Sequence, residues 1–350
     1  MHPFRKLILI SLGKETRFEK APTHTDWAVL YNTARHQALL GVLYDGILRL
    51  PDDQKPPEHI LAEWGEAARK IGLIHDRHVA HARELEDILT GMGLRGCILK
   101  GTGLAELYPD PSRRMCGDID LWVIAPRQTT LKAFSDRYHV HGVLYQECKA
   151  FIFSDTLVEV HFHPTKMYNP RLNRRLQRTL ERLAPPAEAG TLVYPSARFN
   201  AVFCMAHMLR HFLEGGIGLR QMMDYSFVLQ QLTPEDRAAA MEDLERLGMK
   251  RFAGAVMHVL QKCFALDEEY FLCPQDDHYG HELMKEILHS GNFGTLDRRN
   301  RPGKGENKWK RFRRKNSRVR SYMRSYPREV LWSPFARISQ YVWRVVSRKK

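Results

Sequence analysis

Two aspartates separated by one residue stand in an apolar run at 118–124. Asp118 and Asp120 alternate with apolar residues in Asp-Ile-Asp-Leu-Trp-Val, a pattern typical of a β-strand, so both carboxylates are expected on one strand face. Carboxylates this close repel each other unless a cation lies between them. Mg²⁺ prefers a few hard oxygen ligands and keeps open positions for water and phosphate. The pair therefore predicts a site for Mg²⁺ or Mn²⁺.

A Lys-Gly-Thr turn precedes the aspartates. Lys100, Gly101 and Thr102 follow a short apolar stretch and open a short predicted helix over 103–107. The free backbone N–H groups at the start of a helix can hold phosphate. The turn is therefore expected to bind the triphosphate of an NTP next to the metal.

A third carboxylate stands about forty residues later. The segment 156–163, Thr-Leu-Val-Glu-Val-His-Phe-His, alternates apolar and polar residues and contains Glu159. This combination resembles the DNA polymerase β superfamily of nucleotidyltransferases, and more closely a bacterial branch of uncharacterised nucleotidyltransferases. The residues that match that branch are Lys100, Gly101, Tyr108, Pro109, Arg114, Asp118, Asp120 and Leu121, followed by Glu159-Val160-His161. Two features depart from the superfamily: Thr102 replaces the usual small Ser or Gly, and the spacer before Asp118 is long.

The resemblance implies an α+β fold with a small mixed-sheet nucleotidyltransferase core. It implies that Asp118, Asp120 and Glu159 bind two Mg²⁺ ions, and that Glu159 also positions or deprotonates the attacking hydroxyl. Arg114 would add positive charge against the triphosphate. The substrates would be an NTP such as ATP and an unidentified acceptor. The alternative from another class is an inactive binding module whose metal site is vestigial.

The segment 198–231 predicts helices that carry further polar residues. His207 and His211 stand four residues apart, and Arg220 and Asp224 follow. No Glu follows His207 as a zinc-protease motif requires. The resemblance extends to these residues, which either contact a substrate, as His161 would, or form a buried network that orders two helices.

The order of predicted elements divides the chain into four regions. These are an N-terminal helical region (1–91), the nucleotidyltransferase core (92–165), an all-helical C-terminal lobe (166–300) and a basic aromatic tail (301–350). In the first region, 26–50 has helical periodicity, and 58–91 predicts one long helix that ends at Gly91 or Gly93. His75, His78 and His81 are interpreted as ordinary surface histidines of that helix.

Composition indicates a reduced cytosolic protein. The six cysteines are scattered with no Cys-x-x-Cys pair, which favours free thiols in the cytoplasm over a disulfide framework. No run of eighteen apolar residues is present, and the apolar residues at 7–10 are too few for a convincing signal peptide.

The positive charge is confined to the tail. The whole chain has a net charge of +14, and residues 301–350 hold 17 Lys/Arg against two Glu, a net of +15. Like charges are expected to keep 308–320 flexible, and 334–348 predicts an amphipathic helix with aromatic and cationic faces. Such a helix suits peripheral binding to an anionic membrane, here the inner membrane face; binding to nucleic acid is a second alternative, and packing of the aromatics on the helical lobe is a third.

Overall fold

The structure is a computed structural model that describes residues 2–186, 188–303 and 305–347. The helices in this part of the chain are α1 His2–Ser11, α2 His24–Gln37, α3 Leu40–Arg49, α4 Glu58–Met92, α5 Thr102–Ala105, α6 Arg127–Ser135, α7 Pro170–Arg182, α8 Ala197–Glu214, α9 Leu219–Gln230, α10 Pro234–Arg246, α11 Lys250–Phe264, α12 Asp277–Ser290, α13 Lys308–Arg320, α14 Pro327–Val330 and α15 Ser333–Ser347. The strands are β1 Gly96–Ile98, β2 Ile119–Val123, β3 His139–His141, β4 Glu147–Phe151, β5 Val158–His161 and β6 Leu192–Val193.

The six strands form one mixed sheet in the order β3-β4-β5-β2-β1-β6. The central strand β2 pairs antiparallel with β1 and parallel with β5. The predicted α+β class with a small mixed sheet and flanking helices is confirmed. The two-residue strand β6, which pairs parallel with β1, lies in a segment that was expected to be all helical.

The two faces of the sheet contact different cores because side chains alternate along each strand. Leu121 and Val123 of β2 pack with α4 and α6 in the smaller core. Trp122 points to the opposite face and joins the larger core, which the N-terminal and C-terminal helices build together. Asp120 lies on the Trp122 side by the same alternation, so it stands where the sheet meets the helices.

The N-terminal segment contains two helices where one was predicted. Ala38 has φ +57°, and its N–H bonds to the carbonyls of Ala34 and Arg35, which ends α2 before α3 begins. The helical periodicity of 26–50 places six apolar residues on one face, and all six are buried, namely Trp27, Leu30, Ala34, Leu40, Leu43 and Ile47. The long helix α4 is confirmed and ends at Gly93, whose φ of +63° favours glycine.

The tail is helical and packs on the rest of the protein. The expectation that 308–320 is flexible is wrong, because α13 spans this stretch and Arg318 anchors it. The Arg318 guanidinium is 4% exposed, donates to the carbonyls of Phe212 and Leu213, and pairs with Glu286 and Asp297. The predicted helix at 334–348 is confirmed as α15, except for residue 348, which lies outside the described residues. Within the described ranges, no helix is both long and apolar enough to cross a membrane.

Candidate metal and nucleotide site

Carboxylates from two parallel strands meet at the helical face of the sheet. Asp120 of β2 lies directly opposite Glu159 of β5, and His161 is the next residue on the same face of β5. Ligand atoms of Asp120, Glu159 and His161 all lie within 4.8 Å of one another. Asp118, which immediately precedes β2, is near enough to repel the charges of Asp120 and Glu159. We call Asp118, Asp120, Glu159 and His161 the carboxylate site.

The carboxylate site holds more negative than positive charge, because among the described residues Asp118, Asp120 and Glu159 face only two lysines, Lys100 and Lys149, the latter 3.4 Å from Glu159. Asp120 accepts hydrogen bonds from Lys100 Nζ and His161 Nε2, both at 3.0 Å. Its burial opposes ionisation, but these two partners hold the Asp120 pKa well below its usual value. Burial and the charge of Asp120 raise the pKa of Asp118, and burial and the charge of Asp118 raise the pKa of Glu159. Buried, mutually repelling oxygen ligands fit a divalent cation, which would relieve this repulsion.

The Lys-Gly-Thr turn delivers Lys100 to the carboxylate site. Gly101 has φ +58° and ψ −121°, a conformation that favours glycine. The preceding residue, Leu99, donates its N–H to the Asp120 carbonyl at 3.0 Å and so joins the turn to β2. Thr102 is buried, and its hydroxyl lies 3.3 Å from the Tyr194 hydroxyl. Of the amides in this turn, that of Gly103 already bonds to the Lys100 carbonyl.

Arg114 lies beneath the turn and is 2% exposed. Its Nε and Nη2 donate to the two carboxylate oxygens of Asp224, at 2.7 and 2.9 Å, and its Nη1 donates to the Gly101 carbonyl at 3.1 Å. Tyr108 also donates to Asp224, at 2.6 Å. The resemblance implied a contact between Arg114 and triphosphate; the structure gives this guanidinium other partners, which hold the turn against α9.

The predicted polar residues of the helical lobe divide into two groups. Asp224 belongs to the buried network around Arg114, and Arg220 donates to the Met115 carbonyl at 3.2 Å. His207 Nε2 lies 3.3 Å from Lys100 Nζ, and its ring contacts that of His211. Burial and the nearby Lys100 charge place the pKa of His207 well below its usual value, so the ring accepts from the ammonium. His207 thus orients Lys100 toward Asp120.

Sequence reasoning missed a cysteine–histidine group beside the site. The interpretation of surface histidines is wrong for His75 and His78, which are 7% and 2% exposed and face the Cys116 thiol. Burial disfavours the thiolate of Cys116, but Arg114 and the two histidines outweigh it and lower its pKa to about 5. The sequence held a signal for this: His75 and His78 continue the three- and four-residue spacing of the buried stripe that includes Ile71 and Ala82.

A cleft of about 140 Å³ opens at the carboxylate site. Its lining includes the predicted residues Lys100, Gly101, Arg114, Asp118, Asp120, His207, Arg220 and Asp224. Several residues that sequence reasoning missed also line it, among them Asn292 and Phe293. Phe293 has φ +53°, which strains a residue with a side chain, and its ring packs on His211 and Arg220. A larger cavity of about 520 Å³ between α1, α11 and α12 contains none of the predicted site residues.

Adjacent strands of the mixed sheet carry the carboxylates, next to a glycine turn and beneath a helical lobe. This arrangement forms a candidate metal site at the junction of the sheet and the helices. A family model described as "Uncharacterised nucleotidyltransferase" matches residues 23–265, most of the chain. The chain therefore belongs to this family of uncharacterised nucleotidyltransferases. The match includes the whole sheet and the carboxylate site, and it ends before the tail. No curated protein matches the chain.

Proposed function

We propose that this protein transfers a nucleotidyl group from an NTP to a hydroxyl or phosphate oxygen of an acceptor. The observation that carries the proposal is the pairing of Asp120 with Glu159 on adjacent strands, with Asp118 beside them and the Lys100-Gly101 turn bonded to the same strand. Membership of a nucleotidyltransferase family supports the same reaction class. We infer the wider DNA polymerase β superfamily from the sequence resemblance.

Each residue has a role that follows from its position. Asp118, Asp120 and Glu159 would hold Mg²⁺ or Mn²⁺, which when bound supplies charge neutralisation for the triphosphate and lowers the pKa of the attacking hydroxyl. The Lys100 ammonium pairs with Asp120 and would also contact the phosphates of the entering NTP. Glu159, whose pKa burial raises, orients the acceptor hydroxyl and takes its proton. Arg114 positions the turn through its bonds to Gly101 and Asp224.

The reaction is an in-line displacement. The acceptor oxygen forms a bond to the α-phosphorus, the bond from that phosphorus to the oxygen shared with the β-phosphate breaks, and pyrophosphate leaves. The cleft, at about 140 Å³, is smaller than typical ligand pockets of 300–1,000 Å³. Nucleotide entry therefore requires the lining to move, and Ala38 and Phe293 are two lining residues whose strained backbone such a movement would relieve.

Thermal unfolding with each of the four NTPs, with and without Mg²⁺, tests this proposal. A ligand at a hundred times its Kd stabilises by about 2.7 kcal/mol, so the wild type should shift by a few degrees with NTP and Mg²⁺ together. The Asp118→Asn/Asp120→Asn variant should not shift. The matched control Asp53→Asn/Asp87→Asn, which changes two exposed aspartates, should respond like the wild type. No shift in the wild type with any NTP would instead favour the inactive binding module.

We also propose that the tail brings this protein to the surface of an anionic membrane from the cytoplasmic side. Large apolar side chains on and beside α15 are exposed, namely Trp309, Leu331, Trp332, Phe335, Ile338, Tyr341 and Val342. Exposed basic residues of α13, such as Lys310 and Arg313, stand on the neighbouring helix. Apolar burial combined with attraction to anionic lipid headgroups favours this partner over nucleic acid.

A further inference from the structure

Four cationic side chains gather around Glu214 and near Glu147, the carboxylate that lies 3.7 Å from His161 Nδ1. Lys166 follows β5, Arg210 lies on α8, and Lys315 and Arg337 come from the tail helices α13 and α15. Lys166 interacts electrostatically with Arg210 and Arg337, and Lys315 with Arg337. We call these four residues the cationic cluster. None of these four residues lines the cleft.

Two carboxylates near the cationic cluster balance only part of its positive charge. Glu214 lies 3.5 Å from Arg210 Nε and accepts from the Tyr168 hydroxyl at 3.1 Å, and Arg337 Nη2 donates to that same hydroxyl at 3.1 Å. Glu147 is the second carboxylate within electrostatic range of Lys166. Four cations against these two anions leave an excess of two positive charges.

Lys166 carries most of this imbalance. Within the described ranges, no carboxylate lies within 4.0 Å of its ammonium and no hydrogen-bond acceptor is assigned to it, although the side chain is only partly exposed. Burial, reinforced by the charge of Arg210, lowers the pKa of Lys166 to about 8. Burial of a cation without a close partner is costly unless a ligand supplies the opposite charge.

A chain of contacts joins the cluster to the carboxylate site. Arg210 Nη1 donates to Gln146 at 2.8 Å, and Gln146 donates to Glu147 at 3.0 Å. Glu147 lies 3.7 Å from His161 Nδ1, and the other nitrogen of that ring donates to Asp120. The ring of His161 therefore stands between the cluster and the carboxylate that would hold the metal.

We propose that the cationic cluster is a phosphate-binding site that receives a phosphate monoester of the acceptor. The identification of the ligand as the acceptor rests on the proposed nucleotidyl transfer, whereas the phosphate-binding site itself does not. A phosphate dianion matches the two excess charges, and guanidinium and ammonium groups are its usual partners in proteins. The triphosphate of the NTP is the other source of the same chemistry. We assign the site to the acceptor because none of its four residues lines the cleft where the NTP would bind.

The test is calorimetric titration of the full-length protein with inorganic phosphate at pH 7. The wild type should bind phosphate, and Lys166→Gln and Arg337→Gln should each weaken binding at least about tenfold. The control Lys310→Gln removes the same charge from an exposed position and should leave the Kd unchanged. Thermal unfolding without phosphate checks the fold, and Lys166→Gln should melt no lower than the wild type, because it removes a poorly paired buried cation.

Two further arms separate this proposal from the catalytic one. The Asp118→Asn/Asp120→Asn variant should bind phosphate as the wild type does, and a non-hydrolysable NTP analogue with Mg²⁺ should bind together with phosphate. Equal phosphate affinity in wild type and Lys166→Gln, or loss of binding only in the aspartate variant, would overturn the proposed site. Competition between phosphate and the NTP analogue would overturn its assignment to the acceptor. If the NTP analogue does not bind, the proposed nucleotidyl transfer fails, whereas the phosphate titration still decides whether the cationic cluster binds phosphate.

Discussion

The carboxylate site and the cationic cluster have opposite charge imbalances. The first holds three buried or half-buried carboxylates. Asp120 takes both Lys100 and His161 as partners, and Glu159 lies 3.4 Å from the ammonium of the partly exposed Lys149. The second holds four cations around Glu214 and Glu147. They are joined through His161, so opposite excess charges lie on the two sides of one ring. A cation is the natural ligand of the first, and an anion of the second.

Two other buried guanidinium groups, those of Arg114 and Arg318, have their countercharges within the protein. Arg114 meets both oxygens of Asp224, and Arg318 meets Glu286, Asp297 and two backbone carbonyls. These groups have their partners within the protein and join elements that are distant in sequence. The charges of Arg114 and Arg318 therefore have an architectural role, unlike those of the carboxylate site and the cationic cluster.

Removing the imbalance of the carboxylate site should have the largest effect. In Asp118→Asn/Asp120→Asn, nucleotidyl transfer from an α-labelled NTP should fall by roughly 10³-fold or more, because the metal loses its ligands. Mn²⁺ affinity, followed by electron paramagnetic resonance, should fall by at least about 100-fold. The metal-free variant should melt at or above the wild-type temperature, since two repelling carboxylates are gone. A lower melting temperature without metal would mean that the aspartates stabilise the fold.

Breaking a balanced pair should instead cost stability. Arg114→Ala leaves Asp224 buried without its paired guanidinium and should lower the free energy of unfolding by about 3–5 kcal/mol, measured by urea denaturation. Arg318→Ala should lower it by less, because Asp297 and Glu286 keep Arg299 as a partner and only the α8 carbonyls lose their donor. The control Arg320→Ala, an exposed tail residue, should stay within about 0.5 kcal/mol of wild type. Equal effects of Arg318→Ala and Arg320→Ala would contradict the packed tail.

The pH dependence of tail docking sharpens the contrast further. Glu329 is buried and accepts N–H bonds from Tyr168 and Asn169, but burial outweighs these bonds and raises its pKa from 4.5 to about 7. The folded state thus binds this proton more tightly than the unfolded state does. The stabilisation of the folded state by this bound proton is complete below pH 4.5. It is lost as the pH rises through 7, which lowers the free energy of unfolding by about 3 kcal/mol.

Glu329→Gln, which mimics the protonated acid, measures this effect. The difference in melting temperature, variant minus wild type, should increase as the pH rises from 5 to 8. A difference that is constant across this range would show that Glu329 is charged in both states. The same comparison with Glu245→Gln, a surface residue, controls for general charge effects.

The exposed aromatic face should give the smallest effect. Trp332→Ser/Phe335→Ser/Tyr341→Ser keeps every tail charge but removes apolar surface, so binding to vesicles of anionic phospholipid should weaken by about tenfold. Stability should change by less than about 0.5 kcal/mol per exposed site. Vesicle co-sedimentation at low salt checks the first expectation. Unchanged binding would mean that charge alone, or no membrane, accounts for the tail.

Deletion of the tail is a poorer test of membrane binding than these point substitutions. Truncation after residue 300 would remove Arg318 and Glu329, whose partners are buried groups of the helical lobe and the loop after β5. Such a protein would lose stability as well as its basic surface. Loss of vesicle binding by it would therefore carry no information about the tail's surface.

The sequence by itself determined the features that depend on local pattern. Strand alternation assigned Asp120 its face, apolar spacing predicted α4 to within a residue of its end, and the resemblance identified Glu159 as the third carboxylate. These predictions succeed because a strand or a helix repeats its geometry every few residues. The buried stripe of α4 even contained His75 and His78, although polar side chains concealed it.

Only the tertiary structure decided which charges are partnered. Arg114 and Asp224 are 110 residues apart, and Arg318 lies 105 residues or more from the carbonyls it meets on α8. Nothing local in a run of Lys and Arg distinguishes the buried Arg318 from the exposed Arg320. The cost of burying a charge depends on the groups packed around it, and those groups come from distant segments. The cationic cluster and the role of His161 therefore became visible only once the chain was folded.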